Sequence, residues 1–309
     1  MRFGLGLPQR SDRYDMRNDV VHIARGGERA GYSSLWVYER VLFPLTPAEG
    51  PGGGTSRPWP DGYRSCADPL TVLAIASAVT ETVRLGTSVL IAPLHPSLHL
   101  ARALATLDIT SGGRLIAGLG AGWSSDEFRA VGADFTHRGQ ALDETIDACR
   151  ALWGPDPVSH RDSRMIVQNA LVSPKPAVPV PLLLGGRYTE RAAERIARTA
   201  DGWLPAGTPP AVMAEGWKRI RDRAAEHGRD PERLELIPRA NVMLHSTERG
   251  AGRQPFHGSL SQVVDDIAGL VEAGATEILI DLTWTARGGE ELLDLALQAL
   301  GELRAAGMS

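Results

Sequence analysis

The chain is 309 residues long, 43% hydrophobic and 23% charged, with a formal net charge of −4. This composition suits a globular protein with a large buried core; it excludes a disordered chain and offers no basic surface for nucleic acid or anionic membrane. Length alone leaves open one large barrel or two smaller domains. The opening MRFGLGLPQRSD is too short and glycine-rich an apolar run for a signal peptide, and no stretch approaches the roughly 18 apolar residues of a membrane span. The two cysteines, Cys66 and Cys149, have no metal-like spacing, and Cys149 shares a helical face with Leu142, Ile146 and Trp153, as a buried thiol would. These features imply a reduced, cytoplasmic protein without nucleic-acid or membrane partners.

A first strand at residues 3–7 ends at Pro8. A helix over 16–30 follows, with Val20, Ile23, Ala24 and Gly27 on one face and Gly31 closing it. Residues 34–38 form a second strand, with Glu39 and Arg40 at its C-terminal end. The segment 44–66 is rich in Gly and Pro (GPGGG, RPWPDG), and a loop of that length in a compact domain is either functional or disordered. A helix at 68–80 leads into the best-defined stretch, residues 84–123. There the apolar run 84–92 ends at Pro93 and Pro96, and Ser97 is placed to cap a helix carrying Leu100, Leu104 and Leu107. Ser111-Gly112-Gly113 stops that helix, and residues 114–119 form a second apolar run before Gly-Ala-Gly-Trp-Ser-Ser-Asp-Glu. Two strands joined by one helix lie parallel.

After a polar loop, a helix at 138–153 gathers Leu142, Ile146, Cys149 and Leu152 on one face. Residues 154–179 are irregular and proline-rich, with room for a small hairpin outside the core. A strand at 180–184 ends in Gly185-Gly186, and Thr189 caps a helix with Ala193, Ile196, Ala197 and Ala200. Further strands are expected at 201–204, 234–244 and 277–282, and helices at 211–227 and 290–304. Between them lie a polar stretch at 246–255 and a helix opened by the capping-box pair Ser259 and Gln262. Eight strands alternating with helices predict an α/β fold, a (β/α)8 TIM barrel forming a single domain over 1–309. Its loop insertions fall at about 42–67, 154–179 and 246–257. An open doubly wound sheet fits less well, because Gly4-Leu5-Gly6 lies inside the first strand and lacks the third glycine of a dinucleotide turn.

In a barrel the site lies at the C-terminal ends of the strands. Those ends are poor in catalytic machinery. His95 and His99 are four apart, but Pro96 spoils a shared face, so no metal centre is expected. Ser88, Ser124 and Ser125 have no obvious base, and no lysine sits at a strand end. The chemistry therefore falls to a bound organic cofactor. Gly185-Gly186-Arg187-Tyr188-Thr189 reads either as a tight barrel turn or as an anion cradle, with Arg187 and a helix N-terminus supplying positive charge. The glycines of 118–122 either serve close packing or make a flat wall for a planar ring, with Trp123 beside it.

The stretches RFGLGLPQ, AGYSSLWVYERVLFP, residues 84–123 with DEFRAVG, and LLLGGRYTERAAERIARTADGWLP cover most of residues 1–205 in order and spacing. In them the chain resembles the luciferase-like monooxygenase superfamily, and within it the bacterial oxidoreductases that use the deazaflavin coenzyme F420. The resemblance implies a barrel of the bacterial-luciferase type, a homodimer, and hydride transfer between reduced F420 and a small organic substrate. It implies ring contacts from Glu39, a cis peptide at Ser88-Val89 with Ile91 nearby, Ala121, Gly122 and Asp126 flanking the cofactor, and Gly185, Gly186, Tyr188 and Thr189 at its phosphate. Sugar-phosphate dehydrogenases of the superfamily carry a histidine after the acid and a glutamate where this chain has Trp123. With Arg40 and Trp123 there instead, a sugar-phosphate substrate is disfavoured. Arg40 stays charged at ordinary pH, so its expected catalytic role is to bind an anionic substrate or stabilise developing negative charge. Trp123 suggests an apolar or aromatic substrate region, and His95 is a further candidate donor. The 44–66 loop is expected to cover the mouth. Two alternatives accompany this reading: an FMN-dependent monooxygenase served by a flavin reductase, and a catalytically silent cofactor-binding barrel.

Overall fold

The computed structural model describes residues 1–308. Its main sheet is a ring of parallel strands: β1 (Arg2–Gly6), β2 (Ser34–Val37), β3 (Arg84–Thr87, continued by Leu90–Ile91), β4 (Leu115–Gly120), β5 (Leu182–Gly185), β6 (Gly202–Leu204), β7 (Glu235–Leu236 and Arg239–Asn241) and β8 (Glu277–Asp281). The ring closes through the two halves of β7. The first half pairs with β6, Leu236 opposite Trp203, and the second with β8, Ala240 opposite Ile280. Pro238 lies between them without an N–H to donate, while its carbonyl accepts from Leu279 N at 3.0 Å. The expected uninterrupted strand 234–244 is therefore broken where it changes partners. The fold is the expected α/β barrel.

The helices are α1 (Asn18–Ala30), α2 (Pro69–Ser77), α3 (Ser97–Ser111), α4 (Ser125–Val131), α5 (Arg138–Trp153), α6 (Glu190–Thr199), α7 (Pro210–Glu226), α8 (Leu260–Glu272) and α9 (Gly289–Ala305). Their starts follow local chemistry. Asp68 accepts from Thr71 N ahead of Pro69, Thr189 accepts from Ala192 N, and Ser259 with Gln262 forms a complete capping box. Ser97 does not cap α3. It is the first helical residue, after Pro96, and its Oγ lies 3.3 Å from Thr145 Oγ1 of α5. The segment read as a polar loop after β4 contains α4, whose two turns are too few to show a helical period. An antiparallel hairpin, Val158–Arg161 with Ile166–Ala170, stands outside the barrel as expected. Among the described residues no helix is long and apolar enough to cross a membrane.

The barrel interior is filled by Trp36, Ile116, Leu183, Leu204, Ile237 and Leu279. The Trp36 indole takes the space that side chains at residues 4 and 86 would need: a Cβ on Gly4 or Gly86 would come within 2.4 Å of the ring. The N-terminal end is plugged by charge. Arg84 reaches Glu235 at 2.8 Å and Glu277 at 2.5 Å, and Trp36 Nε1 donates to Ser34 Oγ, which bonds Glu277. With the bottom sealed and the middle packed, the space left for a ligand inside the barrel, among the described residues, is at the C-terminal mouth.

Candidate active site

A cavity of about 380 Å³ opens at that mouth. Of the expected cofactor residues, Glu39, Ser88, Val89, Ile91, Ala121, Gly122, Gly185, Gly186 and Arg187 line it, together with Arg40 and Trp123. Asp126, Tyr188, Thr189 and His95 do not.

The floor is Val89. The Ser88-Val89 peptide is cis, where the resemblance puts it, and it lies at the break between the two parts of β3. A Cβ on Gly120 would fall 2.6 Å from Val89 Cγ2, and one on Gly185 2.4 Å from Cγ1, so two glycines make room for this side chain. Arg239 donates from Nη1 to the Ser88 carbonyl at 2.7 Å and is ion-paired through Nη2 to Asp281, its guanidinium carbon 5.0 Å over the Tyr38 ring.

In one wall, Glu39 is buried, 3% exposed. One carboxylate oxygen accepts from Ile91 N at 2.6 Å and the other lies 2.9 Å from His95 Nε2. Burial works to lower the His95 pKa, but the hydrogen bond and charge of Glu39 outweigh it and hold the imidazole above its ordinary value. His95 thus backs Glu39 from outside instead of donating into the pocket.

Arg40, expected to bind an anion or to stabilise developing negative charge, is already ion-paired. Its Nη1 lies 2.7 Å from Glu127 Oε2, and the guanidinium sits 4.7 Å from the Trp123 ring centre, 5.5 Å from Tyr63 and 5.7 Å from Trp59. Glu127 is completely buried and also accepts from Val41 N at 3.0 Å. Burial pushes its carboxyl pKa up, against the lowering effect of Arg40.

The 42–67 loop is folded over the mouth. Phe43, Trp59, Trp123, Tyr63 and Trp284 form a chain of edge-to-face contacts with centroids 4.7–6.0 Å apart. The first turn of α4 pins the loop: Ala48 N donates to Asp126 at 2.8 Å, and Ser125 N and Oγ both donate to Glu49 at 2.9 Å. Asp126 therefore anchors the loop and does not flank the pocket. At the opposite end, Tyr188 donates to Glu190 at 2.9 Å and packs on Trp203, and the Thr189 hydroxyl is used as the cap of α6. Arg187 is exposed and, among the described residues, has no hydrogen-bond or ion-pair partner. Sequence reading missed Glu127, Arg239 and Trp284. Glu127 stood in plain view beside Asp126, but nothing local shows that it meets Arg40. Among the described residues no cluster of three His, Cys, Asp or Glu could hold a metal.

Residues 1–290 match the family model described as luciferase-like monooxygenase. The chain belongs to the luciferase-like monooxygenase family. An uncharacterised protein of Mycobacterium tuberculosis is 34% identical over 262 residues, 82% of this chain and 92% of its own length. Among solved structures, the monooxygenase RslO1 of Streptomyces bottropensis superposes with a TM-score of 0.82 at 20% identity, covering 100% of both chains. An F420-dependent secondary alcohol dehydrogenase, bound to an F420–acetone adduct, gives 0.73 at 16% identity over 98% of this chain and 100% of its own. The F420-dependent tetrahydromethanopterin reductase of Methanopyrus kandleri gives 0.72 at 17% over 100% and 99%. At these identities the structural likeness is one of fold. Membership of the luciferase-like family makes the chain an oxidoreductase.

Proposed function

We propose that this luciferase-like protein is an F420-dependent oxidoreductase that moves hydride between the deazaflavin and a small organic substrate. The observation that carries the reading is the set of surfaces that line the mouth pocket. A side-chain platform, Val89, is flanked by Gly120 and Gly185 beside a buried carboxylate, and Arg187, two residues beyond Gly185, is uncommitted among the described residues. A flat polycyclic ring with an anionic tail fits that set of surfaces. The F420 dependence stated for two of the structural neighbours supports it.

The bound coenzyme would supply the hydride, from C5 of its ring. Val89 and its glycine neighbours would meet a ring face. Glu39, fixed by Ile91 N and His95, would accept a hydrogen bond from the ring system. Arg187 and the N-terminus of α6 would meet the phosphate. The 42–67 loop would exclude water, and the remaining wall of Tyr63, Trp123 and Trp284 suits an uncharged, apolar or aromatic substrate. A cytoplasmic homodimer belongs to the same proposal.

The test is a fluorescence titration of the protein with deazaflavin coenzyme and, separately, with FMN. Trp123 and Trp284 line the pocket and should be quenched, whereas Trp36 is locked in the barrel core. Micromolar deazaflavin binding with weaker FMN binding is expected. Tight FMN binding without a deazaflavin response would overturn the reading in favour of a two-component monooxygenase with a reductase partner. Binding without turnover of any carbonyl, imine or enone substrate would leave a silent cofactor-binding barrel.

A further inference from the structure

A larger cavity, about 670 Å³, lies outside the barrel wall, between the start of α3, the loop 131–137, α5 and the outer hairpin. His95 stands in the wall between the two cavities. Its side chain is 28% exposed and lines the outer cavity, while Glu39, 2.9 Å away, lines the mouth pocket. The pair is held from both sides. Ile91 N fixes Glu39 at 2.6 Å, and Arg164 Nη2 fixes the His95 backbone carbonyl at 2.8 Å. Nε2 faces Glu39, and Nδ1 has no hydrogen-bond partner among the described residues.

We propose that Glu39 and His95 form a proton port through the barrel wall, passing protons between the mouth pocket and solvent in the outer cavity. The step is a plain proton transfer. His95 Nδ1 takes a proton from water, Nε2–H passes its proton to Glu39 Oε1, and the carboxyl group releases it inward; ring flip or tautomer exchange then restores the imidazole. Reduction of a carbonyl or imine consumes one proton for each hydride, and with coenzyme and substrate filling the mouth pocket the pair would give that proton a route from the outer cavity. His95 is on this view a positioning and relay residue that acts through Glu39. The other charges facing it are Asp68 at the start of α2, Arg164 of the hairpin, and across the outer cavity Asp134, His137 and Glu144. Glu39 dominates among them because it alone is hydrogen-bonded to the ring. The purpose of the port rests on the cofactor reading of the mouth pocket; its chemistry does not.

Two measurements test it. The first is an NMR titration of histidine-labelled, ligand-free protein. The His95 signal should titrate above the ordinary histidine value, and Glu39→Gln should lower its midpoint by about one pH unit or more. A His95 that does not titrate, or that ignores Glu39→Gln, overturns the port. The second is calorimetry of deazaflavin binding in buffers of different ionisation heat, with His95→Gln, whose amide can still donate to Glu39 but cannot carry a proton. The expected result is a Kd within about threefold of the parent with the pH-dependent proton uptake lost, together with a flattened pH profile of turnover. Unchanged proton uptake in His95→Gln would mean that the imidazole merely props up the carboxylate, and would overturn the proposal. If neither coenzyme binds, the cofactor reading falls, and the NMR titration alone decides the port.

Discussion

Removing Glu127 should unlatch the loop over the mouth. The Arg40 side chain is 9% exposed and that of Glu127 is fully buried, with 2.7 Å between them. Glu127→Ala leaves a buried guanidinium without its counter-charge and the Val41 N–H without an acceptor. Stranding one member of a buried pair costs about 3–5 kcal/mol, and an orphaned amide about 1–3 more. The three rings around Arg40 do not compensate, because they already surround it in the parent. The cheapest escape is for the 42–67 loop to lift and carry Arg40 into water, so the loss should appear as local opening more than as global unfolding. Taking about 3 kcal/mol as the lower bound, the open population rises on the order of 100-fold. Trypsin cleavage after Arg64, an exposed residue of the loop, reads this directly when opening is fast relative to cleavage. Less than a tenfold acceleration, with the parent's urea midpoint, would refute the buried-pair reasoning. The double variant Arg40→Met/Glu127→Leu strands no charge, and its cleavage rate should fall back towards the parent's.

Other substitutions probe the remaining parts of the pocket. Arg187→Ala should weaken deazaflavin binding about tenfold and flatten its salt dependence with no change in thermal stability, since Arg187 supports nothing else; parent-like affinity at low salt would remove it from the site. Gly185→Ala places a Cβ 2.4 Å from Val89 Cγ1, so it should cost about 1–3 kcal/mol and block coenzyme binding, with Val89→Ala in the same chain restoring both; titration and urea melts of the two variants decide it. Glu235 titrates below its ordinary value because, against the opposing effect of burial, Arg84 and Arg2 bond and attract its carboxylate. A folded-state pKa below the unfolded one gives stability that is present above the ordinary carboxylate value and lost as pH falls through it. The urea midpoint should therefore be flat between neutrality and about pH 5 and fall below that, and Arg84→Met, which leaves only the exposed Arg2 beside Glu235, should shrink the fall.

The alternation of strands and helices was legible because local chemistry writes it: Pro8 and Pro93 end strands, Gly31 and Gly112 end helices, and Ser259 with Gln262 opens one. The break in β7 was not, because a strand changes partners only when both partners are present. The helix α4 was too short for its period to show, and missing it misplaced Asp126. Four residues after Gly122 in sequence, Asp126 reads as a pocket residue, but the turn into α4 swings it onto the covering loop. The strand-end rule located most of the pocket from sequence alone, since a barrel fixes which end of each strand matters. It could not say which way a strand-end side chain faces, so His95 was read as a donor into the mouth and lies behind Glu39 instead. Pairings across the chain were equally out of reach: Arg40 and Glu127 lie 87 residues apart, and neither implies the other.

Those long-range pairings decide what the pocket can select. Four charged residues line it, Glu39, Arg40, Arg187 and Arg239. Glu39 is matched by His95, Arg40 by Glu127 and Arg239 by Asp281, each through a contact of 2.9 Å or less. At those three a ligand's charge meets a group whose own charge is already compensated, so its attraction is weaker than at an unpaired group. Of the four, Arg187 alone has no ion-pair partner among the described residues, which makes it the pocket's uncompensated cation. The pocket therefore offers an uncompensated charge at Arg187 and an aromatic wall at Tyr63, Trp123 and Trp284. A molecule with one anionic tail and a flat neutral ring meets both demands, whereas a phosphorylated substrate would compete with that tail for the same arginine. On the proposed cofactor reading an uncharged substrate is therefore expected, and the pairing of Arg40 argues against a sugar phosphate alongside the residues that stand in place of the histidine and the glutamate.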